Sequence, residues 1–181
     1  MGRKLILLIL LCMVSTGILF ASNSSIHVGA SPYSYQLIAM AGDSDSYSSY
    51  YGWGMDAGYR YNMKNLNVGL DVSYSRFKYE DLSEDYKVLS ILAKVGAKVN
   101  ATESFFFDVN FGAGTDVRFL DDEAKANFAM ALYTGCGYQF DEHLAVTGGV
   151  DLKFGPQSNE DSSLDSADFA IVTKLGVKVG L

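Results

Sequence analysis

Twelve charged residues stand at alternate positions within apolar segments of the chain, and the chemistry that this spacing favours is ion pairing. Both signs occur, often close together: Asp56 and Arg60 share one segment, and Asp151 and Lys153 share another. An unpaired charge is costly to bury, so an interior lined by these residues predicts mutual pairing. The complete set is Asp56, Arg60, Asp71, Lys94, Lys98, Asp108, Asp116, Arg118, Asp151, Lys153, Lys174 and Lys178.

Catalytic and metal-binding chemistry has few candidate residues. The histidines are His27 and His143, and one of the two cysteines, Cys12, lies near the N-terminus. His143 is expected in a turn and His27 at the start of a strand, with no serine and acid on a shared face, so both are interpreted as ordinary surface or interface histidines. Cys136 is expected to be a small apolar side chain on an outer face. The sequence predicts no enzyme activity, no cofactor and no metal site.

Acidic residues gather in the longer links between the apolar segments. They lack the spacing and the glycine of an EF-hand loop, so they do not predict a defined calcium site. Two interpretations stay open: solvated loops beside lipid or sugar headgroups, or loops that bind divalent cations or a basic partner. These residues are Asp43, Asp45, Glu80, Asp81, Glu84, Asp85, Asp121, Asp122, Glu123, Glu160, Asp161 and Asp165.

The segments that position these side chains have a period of two. From Tyr51 to Tyr61 the odd positions are bulky or apolar, and the even positions are glycine or charged. Alternate side chains of a β-strand point to opposite faces, so each segment predicts a strand with one apolar face. The first segment changes parity at Pro32, which predicts a bulge. Seven further segments bring the total to eight strands with no helix: 26–39, 66–75, 89–99, 105–114, 128–140, 144–154 and 169–181.

The N-terminus has the build of a secretory signal peptide. Met1 to Lys4 is short and positive, residues 5–20 form a nearly unbroken apolar run, and Ala21 precedes a polar run. We therefore expect residues 1–21 to be a signal peptide and residues 22–181 to form one domain.

Composition excludes two classes of protein. A net charge of −7, from 14 basic and 21 acidic residues, argues against a nucleic-acid partner, which would normally meet a basic stripe. A hydrophobic content of 49% excludes intrinsic disorder.

The lengths of the links alternate and predict a barrel. Links at 62–65, 100–103 and 141–143 are short, and links at 43–49, 80–85, 121–125 and 155–165 are longer. An even number of strands with short turns at one end and longer loops at the other is typical of a transmembrane barrel. A soluble ligand carrier is the alternative, but its outward row would be rich in Lys, Glu, Gln and Thr, whereas here the row opposite the apolar one is rich in glycine. We predict an eight-stranded antiparallel up-and-down transmembrane β-barrel in the outer membrane, with both termini at the periplasmic, short-turn end.

Aromatic residues stand at both ends of the apolar rows. Two such girdles around an aliphatic band match the two interfaces of a membrane. Toward the long-loop end they are Tyr51, Trp53, Tyr74, Phe119 and Phe128. Toward the short-turn end they are Tyr59, Tyr61, Phe105, Phe107, Tyr138 and Phe140.

Pairing of the charges depends on the register of the strands. If the second hairpin closes through Asn62 and Asn65, Asp56 lies opposite Asp71, a costly like-charge pair unless Lys94 on the next strand reaches it. Lys94 and Lys98 are also expected diagonal to Asp108. The interior then holds an ion-pair network that plugs a narrow lumen, and a gated polar pore is the alternative.

Short motifs resemble those of OmpX/OmpA-type small outer-membrane barrels. Gly-Tyr-Arg-Tyr at 58–61 with Val-Gly-Leu at 68–70 looks like one of their hairpins, and residues 135–140 resemble their Gly-x-Gly-x-x-Phe strand end. The chain ends in Leu181, where such barrels usually end in Phe. The resemblance implies a monomer that contacts outer-membrane lipid and the assembly machinery and serves surface interaction or envelope integrity through four acidic loops.

A more distant similarity to OmpW-type barrels implies an alternative function. Proteins of that type are thought to release small apolar solutes sideways through a gap in the barrel wall. Pro32 interrupts the first strand beside the closing strand, where a missing N–H would loosen the wall. The partner would then be a small solute, whereas surface interaction would require an extracellular ligand.

Overall fold

The computed structural model of the chain describes residues 23–40, 47–78, 85–120, 123–157 and 166–181. The expected signal peptide and most of the acidic loop residues lie outside these ranges. No helix among the described residues is long and apolar enough to cross a membrane. The strands are β1 (Ser24–Met40), β2 (Tyr47–Met63), β3 (Leu66–Lys78), β4 (Tyr86–Asn100), β5 (Phe105–Leu120), β6 (Glu123–Gln139), β7 (Leu144–Gln157) and β8 (Ser166–Gly180).

The eight strands form one closed sheet. Each strand pairs antiparallel with the next along the chain, and β8 returns to pair with β1. Near the two ends of the chain, Ser24 pairs with Tyr61 and Ser25 pairs with Gly180, so β1 begins and β8 ends at the short-turn end. Closure leaves no free strand edge. The predicted eight-stranded up-and-down barrel is confirmed.

The barrel has an apolar outer surface and a polar interior, the reverse of the polarity of a soluble protein. On β2, Met55 is 54% exposed while its neighbour Asp56 is buried, and the other strands alternate in the same way. Large apolar side chains stand on the outer surface, and most buried side chains in the lumen are polar or charged. Two small apolar clusters also lie inside: Phe77, Tyr86 and Val88, and Leu92, Ala129 and Ala131.

The turn of the β2–β3 hairpin lies one residue later in the chain than expected, which shifts the pairing of the two strands by two residues. Met63 pairs with Leu66 around a two-residue turn, in which Lys64 has a left-handed φ of 55°. Such a turn matches the twist of the two strands. Asp56 therefore lies opposite Ser73, and Asp71 lies opposite Gly58. The predicted Asp56–Asp71 pairing is wrong, although the shift of two residues keeps both side chains in the lumen.

The bulge predicted at Pro32 is confirmed. The register of β1 shifts between Ser31 and Ser34 against β2, and between Ala30 and Ser34 against β8. Pro32 and Tyr33 are both exposed, while Ser31 and Ser34 are both buried, so the extra residue restores the alternation with opposite parity.

Candidate functional site: an ion-pair ring in the lumen

A closed ring of charged side chains crosses the middle of the lumen. We call it the central ring. Its members come from six strands because each points inward at a similar height: His27 on β1, Asp56 on β2, Asp71 on β3, Lys94 on β4, Asp151 on β7 and Lys174 on β8. Basic and acidic groups alternate around it.

The contacts close without a break. The Nε2 atom of His27 lies 3.3 Å from Asp56 Oδ2 and 3.6 Å from Asp71 Oδ1. Lys94 Nζ lies 2.9 Å from Asp71 Oδ2 and 3.1 Å from Asp151 Oδ2. Lys174 Nζ completes the ring, 3.0 Å from Asp151 Oδ2 and 3.6 Å from Asp56 Oδ2.

The charges of the central ring balance with the help of one more residue. Arg60 also pairs with Asp71, so three carboxylates meet two ammonium groups and one guanidinium, and His27 adds no charge when it is neutral. Asp151 is 1% exposed and Asp71 is 3% exposed. Burial of these charges is tolerable because each carboxylate contacts at least two basic side chains.

Two glycines make room for the central ring. A Cβ atom on Gly58 would lie 2.2 Å from Asp71 Oδ1 and 2.2 Å from His27 Cε1. A Cβ atom on Gly29 would lie 2.9 Å from Asp56 Oδ1. The glycines of the inward row therefore leave space that neighbouring side chains occupy.

A second polar layer fills the long-loop half of the lumen. Lys153 Nζ donates hydrogen bonds to Ser73 Oγ (3.0 Å) and Ser90 Oγ (2.6 Å). Arg118 pairs with Asp168, which also accepts a hydrogen bond from Gln36 Nε2 at 3.1 Å. Asp116 is buried in the same layer, beside a cavity of about 20 Å³ that Arg118 and Lys153 also line.

The short-turn half of the lumen is organised around Phe106. Lys98 Nζ lies 4.1 Å from the centroid of that ring and donates a hydrogen bond to Gln139 Oε1 at 3.1 Å, and Lys178 Nζ lies 5.9 Å from the same centroid. Asp108 is directly opposite Lys98 rather than diagonal to it. Its Oδ1 atom accepts a hydrogen bond from Asn110 Nδ2 at 2.7 Å.

Open space is small beside the central ring and larger at the short-turn mouth. The cavity beside the ring has a volume of about 50 Å³ and is lined by His27, Asp56, Lys174 and Tyr133 among others. Only a few water molecules fit there. The cavity at the short-turn mouth has a volume of about 360 Å³, and Lys178 lines both.

The sequence interpretation missed a histidine and an aspartate of the lumen. His27 was expected at a surface or interface, which is wrong, because the outward positions Ile26, Val28 and Ala30 turn it inward. That alternation was readable in the sequence. Asp168 precedes the predicted start of the last strand at residue 169, whereas β8 begins at Ser166.

The remaining candidates lie where a non-catalytic role places them. His143 is exposed in the turn after β6, and Cys136 is a half-buried free thiol on the outward row. In the ranges that the structure describes, no three His, Cys, Asp or Glu side chains form a group that could hold a metal ion. The absence of an enzymatic activity stays a prediction.

The aromatic residues predicted as girdles stand on the outward rows at the two ends of the barrel. At the long-loop end the rings of Trp53 and Tyr74 make an edge contact, with centroids 6.5 Å apart. At the short-turn end Phe105 and Phe107 have centroids 5.2 Å apart. Exposed members are Tyr51, Trp53, Phe107, Phe119, Phe128, Tyr138 and Phe140, and half-buried members are Tyr59, Tyr61, Tyr74 and Phe105.

The fold is similar to that of solved outer-membrane barrels. Neisserial surface protein A (NspA) is 17% identical with a TM-score of 0.54, and the alignment covers 88% of this chain and 98% of that one. AlkL, solved by solid-state NMR in DMPC lipid bilayers, is 11% identical with a TM-score of 0.50 and coverages of 88% and 90%. At these identities the likeness concerns the fold, and it confirms that the chain has the architecture of a small outer-membrane barrel.

A third similar structure is that of the outer-membrane enzyme PagL, at 13% identity, a TM-score of 0.45 and coverages of 78% and 97%. So low a TM-score carries no weight for the activity of this chain. No protein-family model matches the sequence, and no curated protein does either.

Proposed function

We propose that the chain is an integral outer-membrane barrel without enzyme activity, closed along its lumen, that acts through its extracellular loops. The observation that carries the membrane location is the outward face of the barrel. Large apolar side chains cover it on every strand, for example Val28 on β1, Phe111 on β5 and Leu175 on β8, each of them at least 49% exposed. An apolar surface that continues around the whole barrel is stable only against hydrocarbon.

Charges on the outward rows support the orientation of the barrel. Within the described strands, outward charged side chains occur at three positions, Arg76 and Lys78 on β3 and Lys87 on β4. Arg76 and Lys87 are cross-strand neighbours at the long-loop end, and Arg76 lies directly opposite Trp53 on the neighbouring strand. Cations at the level of an aromatic belt suit a layer of phosphate-bearing headgroups, and we expect that layer to be the outer leaflet.

The chain contains a built-in probe of the membrane location. Trp53 is the single tryptophan and is 46% exposed on the outward face. In vesicles of brominated lipids we expect its fluorescence to be quenched strongly, and more by bromine near the headgroups than by bromine at the ends of the acyl chains. Fluorescence that does not respond to brominated lipid would contradict the membrane assignment.

Closure of the lumen is the second part of the proposal. It is supported by the buried contacts of the central ring and by the Lys153 and Arg118 contacts beyond it. A barrel of eight strands is just wide enough to be filled by its own side chains. We expect refolded protein in vesicles to release an entrapped water-soluble dye no faster than protein-free vesicles do. Rapid release would favour a polar pore instead.

The loops would then carry the surface role. Among the acidic loop residues, the side chain that the structure describes is that of Asp85, which accepts a hydrogen bond from Arg76 Nε at 2.6 Å. We expect the barrel in nanodiscs to bind polylysine, with weaker binding after Asp121→Asn and Asp122→Asn together. Equal binding by the neutralised variant would argue against a basic partner at that loop.

Passage of small apolar solutes is the second candidate function. The observation that favours it is the interrupted pairing of β1 with β8 at Pro32. Thr173 opposes an opening there, because its hydroxyl donates to the Tyr33 carbonyl oxygen at 2.7 Å and accepts from the Tyr33 N–H at 3.2 Å. Uptake of a lipophilic tracer into vesicles that falls with Pro32→Val would support lateral passage. Uptake equal to that of protein-free vesicles would remove this function.

A further inference from the structure

The short-turn mouth of the barrel holds a cavity whose chemistry the proposed function does not use. Its volume of about 360 Å³ lies at the low end of the range of small-molecule sites. Amide side chains of Asn62, Asn65 and Gln139 line it, and Phe106 forms part of its inner wall. It therefore combines hydrogen-bonding groups with an apolar floor, as small-molecule pockets commonly do.

Two ammonium groups converge on the inner end of this cavity. Lys98 Nζ and Lys178 Nζ both lie near the Phe106 ring, so they are no more than about 10 Å apart, the sum of their distances of 4.1 and 5.9 Å to its centroid. Both stems are half-buried. Among the described residues, no carboxylate lies within ion-pair distance of either ammonium group, in contrast to the paired lysines of the central ring.

The balance of charge around the cavity is positive. Its lining includes Lys64, Lys98 and Lys178 against one acidic side chain, that of Glu142. Asp108, the nearest acid to Lys98 across the sheet, already accepts hydrogen bonds from Asn67 and Asn110. Low dielectric surroundings strengthen the attraction of Lys98 and Lys178 for an anion that enters.

We infer that the cavity binds the phosphate group of a small phosphorylated molecule between Lys98 and Lys178. A phosphate carries close to two negative charges at neutral pH, which matches two ammonium groups, and its oxygens accept hydrogen bonds from lysine and amide donors. The rest of the molecule would occupy the outer part of the cavity, among the asparagine side chains. The inference is independent of what the extracellular loops bind.

The test is a titration of the refolded barrel in nanodiscs with inorganic phosphate, followed by the backbone amide shifts of Phe106, Gln139 and Lys178. Ionic strength is held constant with chloride. We expect saturable shifts at these amides, and about tenfold weaker binding in Lys98→Gln and in Lys178→Gln, because each loses one charged hydrogen-bond donor. The matched control is Lys87→Gln, which removes the same charge from the outward face and should leave the affinity unchanged.

Each alternative result overturns the inference. Shifts that do not saturate, that chloride reproduces, or that are as large in Lys98→Gln and Lys178→Gln as in the unsubstituted barrel would show a general salt effect. Circular dichroism of each variant separates loss of binding from loss of the fold. A sealed barrel that shows no phosphate shifts would overturn this inference while leaving the proposed function intact.

Discussion

Removal of a single carboxylate from the central ring tests whether the lumen is closed. Asp151 is 1% exposed and contacts Lys94 and Lys174 at 3.1 and 3.0 Å. Asp151→Asn leaves Asp56 and Asp71 to balance Arg60, Lys94 and Lys174, so one positive charge stays buried and uncompensated. Breaking a buried pair in this way costs about 3–5 kcal/mol of the free energy of unfolding.

Urea unfolding of the barrel in lipid vesicles measures this cost. With a slope of about 2 kcal/mol per molar urea, the midpoint should fall by about 2 M. The double variant Asp151→Asn with Lys94→Met restores the balance of charge, and we expect it to regain about 2 kcal/mol, because Arg60 still pairs with Asp71 and Lys174 with Asp56.

The matched control is the exposed pair of Arg76 and Asp85, whose side chains are 46% and 21% exposed. Exposed pairs contribute little, so Asp85→Asn should cost less than about 1 kcal/mol. If Asp151→Asn costs no more than this control, water screens the central ring and the lumen is not closed. Failure of the double variant to regain stability would show that Asp151 acts by packing rather than by charge.

Three further outcomes follow from the local geometry. Gly58→Ala should lower the free energy of unfolding by about 1–3 kcal/mol, because its Cβ would meet Asp71 Oδ1 at 2.2 Å. The control Gly148→Ala should be tolerated, because its Cβ would lie 3.4 Å from Leu175 Cδ2. Equal urea midpoints for the two variants would contradict this. Lys64→Val should lower it by more than about 1 kcal/mol, because a β-branched residue tolerates a φ of 55° poorly, and an unchanged midpoint would argue against the left-handed turn. NMR should place the pKa of Asp141 below 3.8, because the backbone N–H groups of His143 and Leu144 stabilise its carboxylate. This stabilisation is present above pH 4 and is lost as the pH falls through the lowered pKa. A pKa at or above 3.8 would mean that these hydrogen bonds do not form.

Much of the lumen was predictable because side-chain direction in a strand is a local property. Asp71, Lys94 and Asp151 alternate with apolar neighbours, and that alternation alone places them on the inward row. The change of parity at Pro32 was equally local, since proline lacks the N–H that a regular ladder requires. His27 was open to the same reasoning and was missed because it lies close to the start of its strand.

Contacts between the charges were less predictable because they depend on register. The turn at Lys64 and Asn65 places Asp71 opposite Gly58 instead of Asp56, and neither aspartate indicates where that turn lies. Closure of β1 against β8 then brings His27 and Lys174 to the same carboxylate of Asp56. Each of these contacts joins positions on different strands.

The sequence by itself therefore determined the eight strands, the apolar outer surface and the polar interior, because the apolar residues of each strand recur with a period of two. Only the tertiary structure decided which opposite charges meet. Strand register and barrel closure set the distances between side chains that are remote along the chain, and those distances turn six inward residues into the central ring.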